Sequence, residues 1–337
     1  MKRILNLLLI LGAGLFIYSS CGKPTDPESI YPSSSGGYKI VSKFETAAYA
    51  QDLIIMDTLC FISQGEGGLM VVDISDREHP ETVNIITNNV RGYSTKLAIK
   101  DNALYIAAGS FGVTVLNIVK PLTPVVTVSN LSMKPAKNFH VFGEYLITAV
   151  SEQGCYFSDV SFPIYPDLRA EFKTPGYAKG LTTNSDSSYL FVATGEMGLT
   201  IYNISVMNGG YGPYPQVGWG DTPGYAEAVA VADGNSYAYL ACGNAGLQIV
   251  DYSDTTNLSI AGTFNGGGYA HEIMLKDDKV YLTTEDNGLQ VIDISDVSNP
   301  VRIGSVDTDE ALGLDMDENY IYIADEEEGL IIIQKPE

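Results

Sequence analysis

Beyond residue 37 the chain is a succession of short apolar runs with period-two alternation, and no useful length of amphipathic helix follows residue 20. One phrase recurs: a glycine, a bulky apolar residue, then an apolar-rich strand that usually closes on an acidic or amide residue. Its copies are GLMVVDIS from Gly68, GVTVLNIV from Gly112, GCYFSDVS from Gly154 and GLTIYNIS from Gly198. GLQIVDYS from Gly246, GLQVIDIS from Gly288 and GLIIIQKP from Gly329 follow. The glycines are spaced 44, 42, 44, 48, 42 and 41 residues apart. A period near forty with strand-like content predicts the blades of a β-propeller.

Turn residues divide each copy into four strands. The first opens on Tyr-Ala or a variant, at Tyr49, Tyr93, Tyr177, Tyr225 and Tyr269, with Pro135-Ala136 and Glu310-Ala311 in the irregular copies. The second is aromatic and β-branched, as in YLFVAT from Tyr189 to Thr194. The glycine phrase is the third, and a fourth usually follows proline, as after Pro300. The last copy stops after its third strand at Gln334, whereas residues 38 to 46 read as an orphan fourth strand. Pairing the two would leave no sheet edge at the seam. The expectation is an all-β, seven-bladed β-propeller of four-stranded antiparallel blades over residues 38–337, closed by an N-terminal strand that completes the last blade.

Phrases such as Asp221-Thr222-Pro223-Gly224-Tyr225-Ala226, Tyr237-Ala238-Tyr239-Leu240-Ala241 and Gly246-Leu247-Gln248-Ile249-Val250-Asp251 resemble the LVIVD-repeat family. That resemblance implies a β-propeller of bacterial or archaeal surface or exported proteins. It carries no catalytic residues across. Residues 155–160 and 331–335 depart from the pattern.

The first 20 residues differ in kind. Lys2 and Arg3 precede an apolar run, Ile4 to Ile17, that is short for a bilayer span. Ser19-Ser20-Cys21 then resembles a bacterial lipoprotein signal, with Cys21 the acylated residue and Tyr18 standing where leucine is usual. Residues 21–37, rich in Pro, Ser and Gly, read as the lipidated cysteine and a flexible tether. The predicted location is outside the cytoplasm, lipid-anchored to the outer membrane on its periplasmic or cell-surface side. The formal charge is −22, and loss of Lys2 and Arg3 makes it more negative still. Such a surface repels phosphate backbones and anionic headgroups, so no nucleic acid is expected, and membrane attachment should rest on the lipid alone. Cys60, Cys155 and Cys242 fall in separate repeats at apolar positions and are predicted to be buried free thiols. A monomer is expected.

In propellers the mouth of the inner strands and the loops between second and third strands share one face, the usual binding surface for the architecture. That face should display Tyr49, Tyr93, Tyr177, Tyr225 and Tyr269. Just inside lie Gln51 and Asp52, Thr95 and Lys96, Lys137 and Asn138, Lys179, Glu227, and His271 with Glu272. Polar residues that vary on a constant apolar scaffold suit a binding surface. The tyrosines suit inter-blade packing, with hydroxyls on loop carbonyls, or ligand contact. A protein or glycan in the cell envelope is the expected partner. The alternatives are a sugar-directed hydrolase or lyase using Asp52, Glu227 and Glu272, or a purely structural envelope protein.

No catalytic constellation is present. His79, His140 and His271 occupy different blades without zinc spacing. Asp315-x-Asp317-x-Asn319 alternates like a calcium loop, but Tyr320 stands where such a turn needs glycine. Neither metal nor cofactor is expected. The one break in rhythm is the insertion Met207 to Tyr214, placed on the face opposite the strand mouths.

Overall fold

The computed structural model describes residues 35–336. The predicted signal, Cys21 and most of the tether lie outside the described residues. Seven four-stranded antiparallel sheets follow one another in chain order. Six are uninterrupted blades, at 52–86, 97–131, 138–172, 180–220, 228–264 and 270–306. The seventh combines residues 311–334 with the N-terminal strand Lys39–Phe44, which pairs antiparallel with Gly329–Gln334 from Lys39↔Gln334 to Phe44↔Leu330.

The recurring glycine now has a physical cause. All seven copies hold positive φ, between +58° and +87°, a region costly for residues with a Cβ. A Cβ at any of them would also collide with a carbonyl oxygen at the end of the same blade's outer strand. In blade seven that oxygen belongs to Phe44, so the N-terminal strand meets its glycine as the other outer strands do. Every pairing of third with outer strand also carries a register shift. The seam has its shift between Ile40 and Ser42. Such bulges increase local twist, as the outer edge of a blade requires.

In blades one to five the inner ladders begin later than the opening pairs suggest, at Asp52, Leu97 and Gly180 for example. The small residue after the tyrosine is used elsewhere. Ser94, Ala136, Ala178, Ala226 and Ala270 each form an isolated bridge to the preceding blade, at Gly65, Gly109, Ser151, Gly195 and Gly243. The backbone at this point satisfies its polar groups across the blade boundary before entering its own sheet.

Apolar clusters fill the gaps between neighbouring blades. Ile147 and Phe157 of blade three meet Leu190 and Tyr202 of blade four, for instance. Cys60, Cys155 and Cys242 are buried and free. The insertion in blade four joins this packing. Tyr214 stacks on Phe157 and Phe172 of blade three, with ring centres 4.7 Å apart in both cases. The Tyr211 hydroxyl accepts from Arg169 at 2.8 Å.

Candidate functional site

The fold brings one repeat position from each blade to the central channel. Ala50, Ser94, Ala136, Ala178, Ala226, Ala270 and Ala311 are all fully buried. Five of them, Ser94, Ala136, Ala178, Ala226 and Ala270, bridge the backbone to the preceding blade, and in every blade the next side chain faces the axis. Those next residues are Gln51, Thr95, Lys137, Lys179, Glu227, His271 and Leu312, and all line a single cavity of about 300 Å³. Lys96, Asn138 and Glu272 from one position further along join them, as do Glu310 and Glu326 of blade seven.

Most charges in this mouth are paired. Lys96 sits 3.2 Å from Asp52 Oδ1 and also bonds Glu272, tying blade two to blades one and six. The Leu97 amide donates to Asp52 Oδ2 at 2.9 Å. Burial pushes the Asp52 carboxyl up to about 6, against the pull of Lys96. Burial acts to lower Lys96, but Asp52 and Glu272 outweigh it and hold the ammonium above its usual range. Lys179 pairs with Glu227 at 2.9 Å and lies 5.2 Å from the centre of the Tyr225 ring. The Tyr269 hydroxyl donates to Glu227 at 2.8 Å, and His271 Nε2 meets Glu285 at 2.8 Å.

Glu310 is different. Burial, and then the neighbouring Glu326 carboxylate, push its carboxyl up to about 7. Among the described residues no lysine or arginine pairs with either glutamate, and Lys137 likewise has no ion pair.

Of the residues expected on this face, Gln51, Lys96, Lys137, Asn138, Lys179, Glu227, His271 and Glu272 line the cavity. Asp52 lies behind the wall, 6% exposed, as the partner of Lys96. The tyrosines form a rim outside it, with Tyr49 53%, Tyr93 40% and Tyr177 43% exposed. Their rings pack across the blade boundary. Those of Tyr93, Tyr225 and Tyr269 lie over Gly65, Gly195 and Gly243 of the preceding blade. Two of their hydroxyls reach carboxylates rather than the expected loop carbonyls: Tyr269 donates to Glu227, and Tyr93 to Glu326 at 3.5 Å.

Glu310, Leu312 and Glu326 complete the cavity and were absent from the expected set. A signal for them existed. The turn position three residues before each repeat glycine reads Gly65, Gly109, Ser151, Gly195, Gly243, Glu285, Glu326. In the last two blades a carboxylate replaces a small residue at the mouth. Glu310 likewise stands at the tyrosine position of its blade.

The calcium-like alternation in blade seven is consumed internally. Asp315 accepts from the Ile55 amide at 2.8 Å, and Asp317 from the Tyr322 hydroxyl at 2.7 Å and the amides of Asn319 and Tyr320.

A comparison with curated proteins finds no match. Among solved structures, the WD40 β-propeller domain of Doa1 aligns with a TM-score of 0.69 at 10% identity, over 89% of this chain and 98% of that one. The computationally designed Ika8 protein aligns with a TM-score of 0.60 at 9% identity, over 88% and 100%. At such identities the likeness is one of fold. The family model of the LVIVD repeat matches residues 47–87, 223–266, 267–308 and 310–334. The chain is thus a seven-bladed β-propeller repeat protein, with similarity to the LVIVD repeat in blades one, five, six and seven.

Proposed function

We propose that this protein is a non-enzymatic binding module of the cell envelope, tethered through a lipid on Cys21, that holds a protein or glycan over the channel mouth. The observation that carries this reading is the cavity to which all seven blades contribute a side chain from one repeat position. A constant scaffold with a variable polar lining supplies recognition without a reacting group. The three carboxylates named for a sugar-directed hydrolase, Asp52, Glu227 and Glu272, also favour binding over chemistry. Asp52 and Glu272 share Lys96, and Glu227 is held by Lys179 and Tyr269. A general acid or base working on a glycosidic bond needs a carboxyl free to reach it. The sequence signals at residues 1–21 support export and lipid attachment.

The test is partner capture from native envelope by the full chain carrying a photo-crosslinking residue at Asn138. Covalent adducts should form there and disappear in the Lys179→Ala, Tyr225→Ala and His271→Ala variants, with melting temperatures nearly unchanged. The same crosslinker at Phe162, 78% exposed in a loop between third and outer strands and so on the opposite face, should give none. Adducts that survive all three substitutions, or that form only from Phe162, would place the binding surface elsewhere.

A further inference from the structure

The charges of the mouth are sorted by blade. Its lysines, Lys96, Lys137 and Lys179, come from blades two to four, and its carboxylates from blades five to seven. Pairing removes most of them from play, since Lys96 is satisfied by Asp52 and Glu272, and Lys179 by Glu227. What remains is one cation, Lys137, and one carboxyl pair, Glu310 with Glu326. Blades three and seven stand three apart, the greatest separation a ring of seven permits. The two uncompensated poles therefore face each other across the channel.

Resting on the reading of the mouth as the binding site, we propose that the cavity takes a compact zwitterion. Its cationic group sits between Glu310 and Glu326, and its anionic group at Lys137 and the Asn138 amide. The size agrees, since about 300 Å³ is at the small end of the roughly 300–1,000 Å³ spanned by ligand pockets. Charge agrees as well. A ligand of single sign would leave the opposite pole unpaired in a partly desolvated cavity, whereas one carrying both signs answers both. Asn138 Oδ1 accepts from the Phe139 amide at 2.7 Å, which turns its amide nitrogen into the free donor beside Lys137. Gln51, in the same wall, has a buried Nε2 without a hydrogen-bond partner, a further donor for the ligand. Burial and the neighbouring Glu326 and Glu285 carboxylates push the Glu310 carboxyl up to about 7, and an ammonium would displace its proton.

The experiment is isothermal titration of the full chain in detergent with glycine, diglycine and triglycine, each against its N-acetylated and its C-amidated form. At least one free zwitterion should bind saturably, with either cap weakening it tenfold or more. Lys137→Met should abolish the penalty of the amide cap, and Glu310→Gln with Glu326→Gln the penalty of the acetyl cap. At pH 7 binding should release protons in the parent and not in Glu310→Gln, read from titrations in buffers of different ionisation heat. If no zwitterion binds better than its capped forms, or if the caps matter equally in all variants, the proposal falls. Should envelope capture still depend on Lys179 and Tyr225 in that event, the mouth survives as the binding site and only the ligand class is wrong. Loss of that dependence as well would remove both.

Discussion

At the residue scale, the tyrosine of one blade and the glycine of the blade before it form a unit. Gly195 has a φ of +62°, and a Cβ there would lie 2.7 Å from the Tyr225 ring. Gly243 and Tyr269 repeat the arrangement at 2.7 Å, and Gly65 and Tyr93 at 2.8 Å. Gly195→Ala should therefore cost about 1–2 kcal/mol for the left-handed backbone, and more for displacing the ring. In the double variant with Tyr225→Ala the ring is gone and only the backbone cost of the alanine remains. Denaturant unfolding should then give a combined loss smaller than the sum of the single losses. Strict additivity would mean that the ring does not rest on the glycine. The same logic explains blade six, whereas in the ring Glu326 of blade seven is still followed by Tyr49. Glu285 and Glu326 occupy this turn position without positive φ, and Glu310 follows Glu285 where a tyrosine would otherwise cover the glycine.

At the element scale, the N-terminal strand is an outer strand in every respect that distinguishes outer strands: its bulge, its contact with a repeat glycine and its edge. Tyr38, just before it, is 5% exposed and meets Tyr281 of blade six edge-on at 6.5 Å. Its ring also lies where a Cβ on Gly304 would be, 2.7 Å away. Tyr38→Ala should cost roughly 3–5 kcal/mol, the range for removing a buried aromatic. It should also loosen the cover over Gly329–Gln334, giving concentration-dependent self-association by light scattering. A melting temperature unchanged from the parent would show that the seam does not depend on this anchor. Closure was legible in the sequence because a missing strand at one end matched a surplus strand at the other. The seven blades were legible because one strained, sterically trapped glycine per blade tolerates no substitute. Much of the mouth was legible too, since Gln51, Lys137, Lys179, Glu227 and His271 are polar at a position flanked by constant apolar residues. Leu312 was not, being apolar where polarity was the signal. Glu310 and Glu326 were hidden among the ten carboxylates between Asp307 and Glu328, where composition alone looks like a solvated rim. The displaced start of the inner ladders was illegible for another reason: an isolated bridge between blades leaves no period in the sequence.

At the scale of the whole molecule, the propeller is held by contacts between successive blades, and Lys96 is an exception. It reaches from blade two to Glu272 of blade six while resting on Asp52 of blade one, so a single ammonium couples sheets on opposite sides of the axis. The Asp52 side chain is only 8% exposed, and a buried carboxylate stripped of its cation is strongly destabilising. Lys96→Met should cost about 3–5 kcal/mol at neutral pH. Asp52→Asn with Lys96→Met should recover most of that loss, because no uncompensated charge remains behind the channel wall. The pH dependence follows from the same group. The Asp52 carboxyl already lies near 6 in the folded protein, above its ordinary 3.8. Removal of Lys96, which pulls it down, must raise it further. A raised carboxyl favours folding below its unfolded value, and that advantage is lost as pH climbs through the folded value. The cost of Lys96→Met should thus be small at pH 4–5, where Asp52 can protonate in place, and full at pH 8. In the double variant this added dependence should vanish. A penalty for Lys96→Met that is independent of pH, or that Asp52→Asn fails to relieve, would mean that Lys96 stabilises the ring through its methylene packing instead of its charge.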